Sequence, residues 1–222
     1  MSLSRLVHLC LAAILGISIA ARVSAQSSSS KHTKQSATTG ATAVDDGAVS
    51  NGVYRNKALG FACKIPEGWV LRTEEMNSQD QAKDEEKPST QEAQRNTGDQ
   101  HVLLAAFSRP PEARGEDVNS SILIAAESVE AYPGLKEAAQ YFGPLTEVAK
   151  AQGFSVDEEP YEYAVGAKKL VRGDFHKDVG TRVMRQSTLA FLSHGYAVSI
   201  TIIGGTEDEV EELIDGISFT GK

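Results

Sequence analysis

The stretch from Val183 to Phe219 constrains the fold more than any other, because it predicts two paired strands, a helix and a final strand in succession. Val183–Leu192 and Tyr196–Ile203 are rich in β-branched and aromatic residues, which favour strands. Ser193-His194-Gly195 between them predicts a hairpin turn. One face of the second strand is apolar and the other is uncharged, so we expect both faces of this sheet to be at least partly covered.

A helix is predicted directly after this hairpin. Thr206 followed three residues later by Glu209 forms a capping box, and the acidic first turn suits the helix dipole. The apolar residues recur at helical spacing on one stripe: Val210, Leu213, Ile214 and Ile217. We expect Gly216 to end the helix and Ile217-Ser218-Phe219 to return as a short strand.

The N-terminus has the pattern of a secretory signal peptide. Arg5 precedes the apolar run Leu9–Ala20, and Val23-Ser24-Ala25 offers small residues to a signal peptidase. We therefore expect residues 1–25 to be removed and the protein to be exported to a periplasmic or extracellular location, without a transmembrane span after cleavage.

Two alternatives to cleavage remain open at this point. An uncleaved membrane anchor would need about 20 apolar residues, more than this run provides. Lipidation at Cys10 is opposed by the bulky Leu9 and by the position of Cys10 at the start of the apolar run.

Charge and cysteine content limit the class of protein. Without Arg5 and Arg22 the chain has 20 basic and 30 acidic side chains, so its formal charge is −10. Nucleic acid is therefore excluded as an expected partner, because polyphosphate binding needs a basic surface. Cys63 is the one cysteine after the leader, so no internal disulfide is expected and the fold depends on its core.

The rest of the sequence predicts one domain behind a tether. Residues 26–50 are mostly Ser, Thr, Ala, Gln, Lys and Gly, which predicts a disordered linker. The domain should occupy residues 51–222, with a long, mobile acidic loop at 72–100. The other predicted strands are Val53–Leu59, Phe61–Ile65, His101–Phe107, Ser121–Val129, Phe154–Asp157, Tyr161–Val165 and Ala167–Phe175. A helix after Pro133-Gly134 should kink or divide at Gly143-Pro144.

Asp174, His176 and Asp178 are the candidates for a metal site. Their alternation places all three side chains on one face of a strand, where carboxylates and imidazole could share a divalent cation. The alternative is the solvated end of a hairpin that turns at Asp178-Val179-Gly180. We favour this alternative, because no further ligand can be placed.

No other motif in the sequence predicts catalysis or a cofactor. Cys63 alternates with Phe61 and Ile65, which is typical of a small buried residue. The sequence has no glycine-flanked serine elbow and no phosphate-cradling glycine loop. We therefore expect no catalytic residues and no cofactor.

Carboxylates in the loop at 72–100 are the candidates for binding a partner. They would steer a basic protein surface, although a solvated insertion is the simpler interpretation. The candidate residues are Glu74, Glu75, Asp80, Asp84, Glu85 and Glu86.

Two sets of residues, one in each half of the domain, carry a resemblance to a known family. The first half contains Asn56-Lys57-Ala58-Leu59-Gly60-Phe61 and Ile65-Pro66-Glu67-Gly68-Trp69. The second half contains Val165-Gly166-Ala167, Gln186, Gly195-Tyr196-Ala197 and Ile217-Ser218-Phe219. In these residues the sequence resembles the PsbP-like fold family, which includes bacterial exported domains of the DcrB and LpqN type. The long loop at 72–100 departs from the family pattern.

The resemblance implies a fold and a kind of function. The fold would be α+β, a three-layer α/β/α sandwich around an antiparallel sheet of about six strands. Members mostly bind or assist other proteins without catalysis. The expected function is therefore an exported, non-catalytic binding or assembly factor of the cell envelope, with another envelope protein as its partner. An envelope metal-binding protein or hydrolase that uses Asp174, His176 and Asp178 is the alternative.

Overall fold

The structure, a computed structural model, describes residues 44–78, 100–115 and 117–220, which form two antiparallel sheets. The predicted signal peptide and most of the predicted tether lie outside the described residues. The strands are β1 (Ala48–Ser50), β2 (Val53–Asn56), β3 (Phe61–Lys64), β4 (Val70–Leu71), β5 (His101–Phe107), β6 (Ser121–Ser128), β7 (Ser155–Val165), β8 (Lys168–Val179), β9 (Arg182–Ser193), β10 (Tyr196–Gly204) and β11 (Ile217–Phe219).

The larger sheet has the strand order β4-β5-β6-β10-β9-β8-β7 and is built around the predicted hairpin. Ile200 of β10 is fully buried and lies opposite Leu189 of β9 and Ile124 of β6. His194 and Gly195 form the turn with φ angles of 49° and 84°. Positive φ at both positions gives the tight turn the twist that antiparallel strands require.

The smaller sheet, with the order β1-β2-β3-β11, packs against one face of the larger sheet. Its buried residues, such as Phe61 and Cys63, join Phe191 and Ile200 in the main core. The ring of Phe61 meets that of Phe191 edge-on at 5.6 Å, an arrangement that aromatic pairs favour. Pairing of Ile217 with Cys63 brings the two ends of the domain together.

The described residues also include three α-helices. Residues 73–78 form α1, α2 is Ala138–Ala151, and α3 is Glu207–Asp215; Val129–Ala131 adds one turn of 3-10 helix. The helix α2 covers the face of the larger sheet opposite the smaller sheet, where Tyr141 and Phe142 are buried. It continues through Pro144 as one helix, so of the two predicted outcomes the division into two helices is wrong, while a kink at Gly143-Pro144 stays a prediction.

The helix α3 begins and ends where the sequence predicts. The Oγ1 of Thr206 accepts a hydrogen bond from the N–H of Glu209 at 3.1 Å. The Glu209 carboxylate accepts from the N–H of Gly205 at 2.8 Å, one residue earlier than in a standard capping box. Val210, Leu213 and Ile214 are buried in the main core.

The predicted three-layer α/β/α sandwich is wrong. The described residues form eleven strands in two sheets, of four and seven strands, rather than one sheet of about six strands between two layers of helices. The three-layer expectation came from the family resemblance, and β1 and β4, which the sequence patterns did not predict, have only three and two residues. The pairing of β4 with β5 and of β11 with β3 joins segments that are distant in the chain, so local sequence patterns do not reveal it.

The boundaries of the tether and of the acidic loop also differ from the prediction. Ala48–Ser50 is a strand rather than linker, and residues 73–78 are helical rather than loop. Residues 79–99, the rest of the predicted loop, lie outside the described residues. Within the described ranges, no helix has the length and apolar character that crossing a membrane requires.

Candidate binding groove

A groove with a volume of about 430 Å³ lies between the edge of the smaller sheet at β1 and the edge of the larger sheet at β4 and β5. We call it the edge groove. This volume lies within the range of pockets that hold small ligands or a few residues of a peptide. The lining residues are Asp46, Gly47, Ala48, Val49, Tyr54, Leu71, Arg72, Thr73, Glu74, Glu75, Asn77, Val102, Leu103 and Leu104.

One wall of the groove is the segment 44–50, which specific contacts hold against β2. The hydroxyl of Tyr54 donates to the carbonyl of Asp46 at 3.0 Å, and Nδ2 of Asn56 donates to the carbonyl of Asp45 at 2.6 Å. Gly47 has a φ of 68°, and a Cβ there would lie 2.7 Å from the carbonyl oxygen of Arg55. Only glycine fits at this position, because both the backbone angle and the space exclude a side chain.

The Tyr54 hydroxyl remains a neutral donor at this wall. Burial raises the pKa of Tyr54 to about 12, and the carboxylates of Asp45 and Asp46 act in the same direction. The hydrogen bond to the Asp46 carbonyl is therefore kept at every physiological pH, since donation requires the protonated phenol.

The opposite wall is α1, which covers the outer edge of β5. The side-chain amide of Asn77 donates to the carbonyl of Val102 at 2.9 Å and accepts from its N–H at 3.1 Å. The hydroxyl of Thr73 accepts from the N–H of Ala105 at 3.0 Å. Side chains thus replace the missing neighbouring strand, and α1 is held in place by the same bonds.

The rim of the groove has more acidic than basic side chains. Asp46, Glu74 and Glu75 are exposed, and Asp46 contacts His101 on β5. Arg72 is the one Lys or Arg among the lining residues, and it is bridged to Glu75 at 3.1 Å and to Glu112 at 3.2 Å. Because two carboxylates already balance Arg72, the rim favours a cationic ligand.

The groove also exposes apolar surface. Val49 and Leu71 are each 42% exposed, and they are two of the three large apolar side chains that are exposed in the described ranges. Val179, the third, lies at the turn between β8 and β9. Val49 and Leu71 therefore offer apolar contacts beside the carboxylates of the rim.

The predicted metal candidates do not converge on a shared cation. Asp174 and His176 lie on one face of β8, as predicted, but they have separate partners. Asp174 accepts from Arg172 and Tyr161 at 2.9 Å each, and His176 contacts Asp157. Asp178 is exposed near the end of the strand. Across the described residues, no group of three His, Cys, Asp or Glu side chains is placed to hold a metal ion.

Arg172 is the centre of a polar network that sequence reasoning missed. Its side chain is 9% exposed and donates to Asp174, Ser187 and Glu211. Burial acts to lower the pKa of Arg172, but the hydrogen bonds to Glu211 and Asp174 outweigh it and raise the pKa. Burial and the bond to Asp174 raise the pKa of Tyr161. This network joins β7, β8, β9 and α3, so Asp174 has a structural role.

Cys63 is fully buried, and burial raises its pKa to about 12. A thiol with so high a pKa is not a nucleophile at neutral pH. The structure thus agrees with the interpretation of Cys63 as a small core residue.

Only part of the predicted partner-binding set can be placed. Glu74 and Glu75 lie at the rim of the edge groove, whereas Asp80, Asp84, Glu85 and Glu86 lie outside the described residues. Sequence reasoning missed Asp46 and Val49, because it assigned them to the tether. Asn51-Gly52 was the available signal, since this dipeptide is a strong indicator of a hairpin.

No protein-family model matches the chain, and neither does any curated protein sequence. Solved structures match at low similarity. LpqN of Mycobacterium tuberculosis, involved in cell envelope biogenesis, is 12% identical with a TM-score of 0.35, over 72% of this chain and 83% of LpqN. A Bacteroides thetaiotaomicron protein is 9% identical with a TM-score of 0.39, over 77% of this chain and 49% of the Bacteroides chain. Protein PA94 of Pseudomonas aeruginosa is 13% identical with a TM-score of 0.36, over 73% of this chain and 92% of PA94. Membership of the PsbP-like family stays a prediction.

Proposed function

We propose that the protein is an exported, non-catalytic binding or assembly factor of the cell envelope, and that its edge groove holds a cationic segment of a partner protein. The observation that carries the proposal is the groove itself. Two exposed apolar side chains, Val49 and Leu71, lie there beside a rim of carboxylates. Export is supported by the signal-peptide pattern of residues 1–25.

The non-catalytic part of the proposal is supported by how the candidate reactive groups are used. Asp174 is engaged by Arg172, Tyr161 and Ser187, and the Cys63 thiol is buried in the core. Metal analysis of the purified protein tests this part. Stoichiometric zinc or manganese that is lost in His176→Ala would overturn it in favour of a metal-dependent function.

Photo-crosslinking tests the binding part. A photoreactive amino acid replaces Val49 or Leu71 in the groove, and Val179 in a matched control whose side chain is 47% exposed. We expect the two groove positions to capture the same envelope protein and the control position to capture none of it. Equal capture from all three positions would show that the groove is not the binding site.

Charge variants test the class of the ligand. Glu74→Gln with Glu75→Gln removes two rim carboxylates, whereas Glu162→Gln removes an exposed carboxylate on β7 that is bridged to Lys169. We expect the double variant alone to weaken capture and to reduce its salt dependence, because charge attraction between exposed groups is screened by salt. Capture that is insensitive to salt and to both variants would contradict a cationic partner.

A further inference from the structure

The strand β1 is an unprotected sheet edge, unlike the edges at β5 and β7 in the described part of the chain. The edge at β5 is covered by the side chains of Asn77 and Thr73. The edge at β7 carries Glu158, Glu159, Glu162 and Pro160, and its pairing is interrupted by register shifts. Charges, proline and bulges are the features that prevent edge strands from pairing with another chain. Ala48-Val49-Ser50 has none of them.

The register of β1 on β2 determines which backbone groups face the groove. Ser50 pairs with Val53 across the two-residue turn at Asn51-Gly52, so this is a hydrogen-bonded pair. Pairs alternate along an antiparallel ladder, and Val49 opposite Tyr54 is therefore a non-hydrogen-bonded pair. The N–H and the carbonyl of Val49 consequently point away from β2, toward the free side of the strand.

We infer that the edge groove takes an extended, cationic segment of another protein, which adds an antiparallel strand to β1 through the backbone of Val49. This inference rests on the proposed function and states its mode of binding. All strand pairs in the two described sheets are antiparallel, and an added strand would continue that pattern.

Alternating side chains fit this groove. The residue opposite Val49 would share its face and lie against Leu71, so it should be apolar. Its neighbours in the segment should be basic, because Asp46, Glu74 and Glu75 surround the site. A second copy of this chain is disfavoured, since pairing two β1 edges would bring like-charged rims together.

Peptides with blocked backbone amides separate strand addition from charge attraction. The probe is a capped peptide of about nine alternating Lys and Val residues, which spans roughly 30 Å when extended. Its counterpart has Glu in place of Lys. Two further versions carry N-methyl groups on either the Val amides or the Lys amides. In an antiparallel added strand the Val amides face β1, so methylating them should weaken binding about tenfold, while methylating the Lys amides should not.

The outcomes distinguish the inference from the proposed function. Loss of affinity on methylation of the Val amides alone supports strand addition opposite Val49, and loss on methylation of the Lys amides alone overturns it. If both sets or neither set lose affinity while the Lys peptide still binds tighter than the Glu peptide, strand addition is overturned and the cationic groove stands. If the Lys peptide binds no tighter than the Glu peptide, both fail. A concentration-dependent dimer that Val49→Pro abolishes would also overturn the inference, by assigning the edge to a second copy.

Two variants of Val49 provide a matched test on the protein side. Val49→Pro removes the outward N–H, whereas Val49→Thr keeps this N–H and a β-branched side chain. We expect Val49→Pro to lose about tenfold in affinity for the Lys-Val peptide and Val49→Thr to retain most of it. Hydrogen exchange in the wild-type protein gives an independent measurement. The Val49 amide should exchange more slowly with the peptide bound, and an unchanged rate at saturation would overturn the inference.

Discussion

Arg172 donates from Nε to Oδ1 of Asp174 at 2.9 Å, and the two residues lie on the same face of β8. Asp174 also accepts from Tyr161 and Ser187, so one carboxylate satisfies three donors. These hydrogen bonds fix the position of the Arg172 guanidinium between β7, β9 and α3.

The first prediction is that Asp174→Ala destabilises the fold by about 2–4 kcal/mol, because it leaves a buried guanidinium short of a partner. The control is Glu162→Gln, which breaks an ion pair with Lys169 in which the side chains are 66% and 74% exposed. An exposed pair of this kind contributes at most about 1 kcal/mol. Urea denaturation at pH 7 measures both variants. Equal, small losses would show that the Arg172 network does not support the fold.

The second prediction is that stability falls as the pH rises above about 9. The pKa of Cys63 is raised from 9.0 to about 12 by burial. Below pH 9 both the folded and the unfolded chain keep the thiol proton, so its contribution is fully present. Between pH 9 and 12 the unfolded chain alone loses the proton, which lowers the free energy of unfolding by about 1.4 kcal/mol per pH unit.

Cys63→Ala is the test of this assignment. The variant should be less stable at pH 7, because it leaves a cavity, yet its stability should fall less between pH 9 and 10. In the unfolded chain the pKa of Cys63 is 9.0 and that of Tyr54 is 10.0, so in this interval the thiol loses its proton before the phenol does. Denaturation curves at pH 8, 9 and 10 measure the slope. Identical slopes in both proteins would contradict the prediction.

The hairpin Val183–Ile203 and the helix after it could be predicted because their signals are local. Strand composition, a Gly-containing turn and a capping threonine each act within a few residues. Asn51-Gly52 carried an equally local signal for the first hairpin, and the tether-like composition before it obscured that signal. The boundary at residue 50 was therefore an avoidable error.

The strands β7 and β8 continue through Pro160 and Gly173, where the sequence predicted breaks, and the reasons are long-range contacts. Pro160 is tolerated inside β7 because this strand lies at the edge of the larger sheet, where a missing N–H need not break a ladder. Gly173 lies inside β8, and a Cβ there would be 2.5 Å from Cε1 of Phe142 on α2. Glycine is thus required by a helix about 30 residues earlier in the chain, rather than by a turn. The edge groove has the same kind of origin, since its walls come from segments that contact each other only in the fold.

The third prediction is that Gly47→Ala releases the segment 44–50 from β2. Both the φ of 68° and the short approach of 2.7 Å to the carbonyl of Arg55 oppose a side chain. Gly166→Ala is the matched control, because Gly166 has a φ of 60° but open space around it. The control should lose about 1 kcal/mol from the backbone angle alone.

Hydrogen exchange separates the two glycine variants more sharply than stability does. In Gly47→Ala the amide of Ser50, which is paired with Val53, should exchange at least about tenfold faster, while core amides of β10 stay protected. In Gly166→Ala the Ser50 amide should be unaffected. Equal protection of Ser50 in both variants would mean that the segment does not depend on Gly47. Binding of the Lys-Val peptide should be lost together with this protection.

The last prediction contrasts Asn77 with the acidic sequence that follows it. Replacing Asp80 to Asn96 by a short Gly-Ser link removes mainly polar residues, and shortening a loop changes its closure free energy by only about 0.6 kcal/mol per halving. Asn77→Ala leaves the N–H and the carbonyl of Val102 without their side-chain partner, which should cost about 1–3 kcal/mol. Thermal unfolding of both proteins measures the contrast. If the link variant unfolds without cooperativity, the acidic sequence packs into the core; if Asn77→Ala unfolds like the wild type, α1 does not hold the edge of β5.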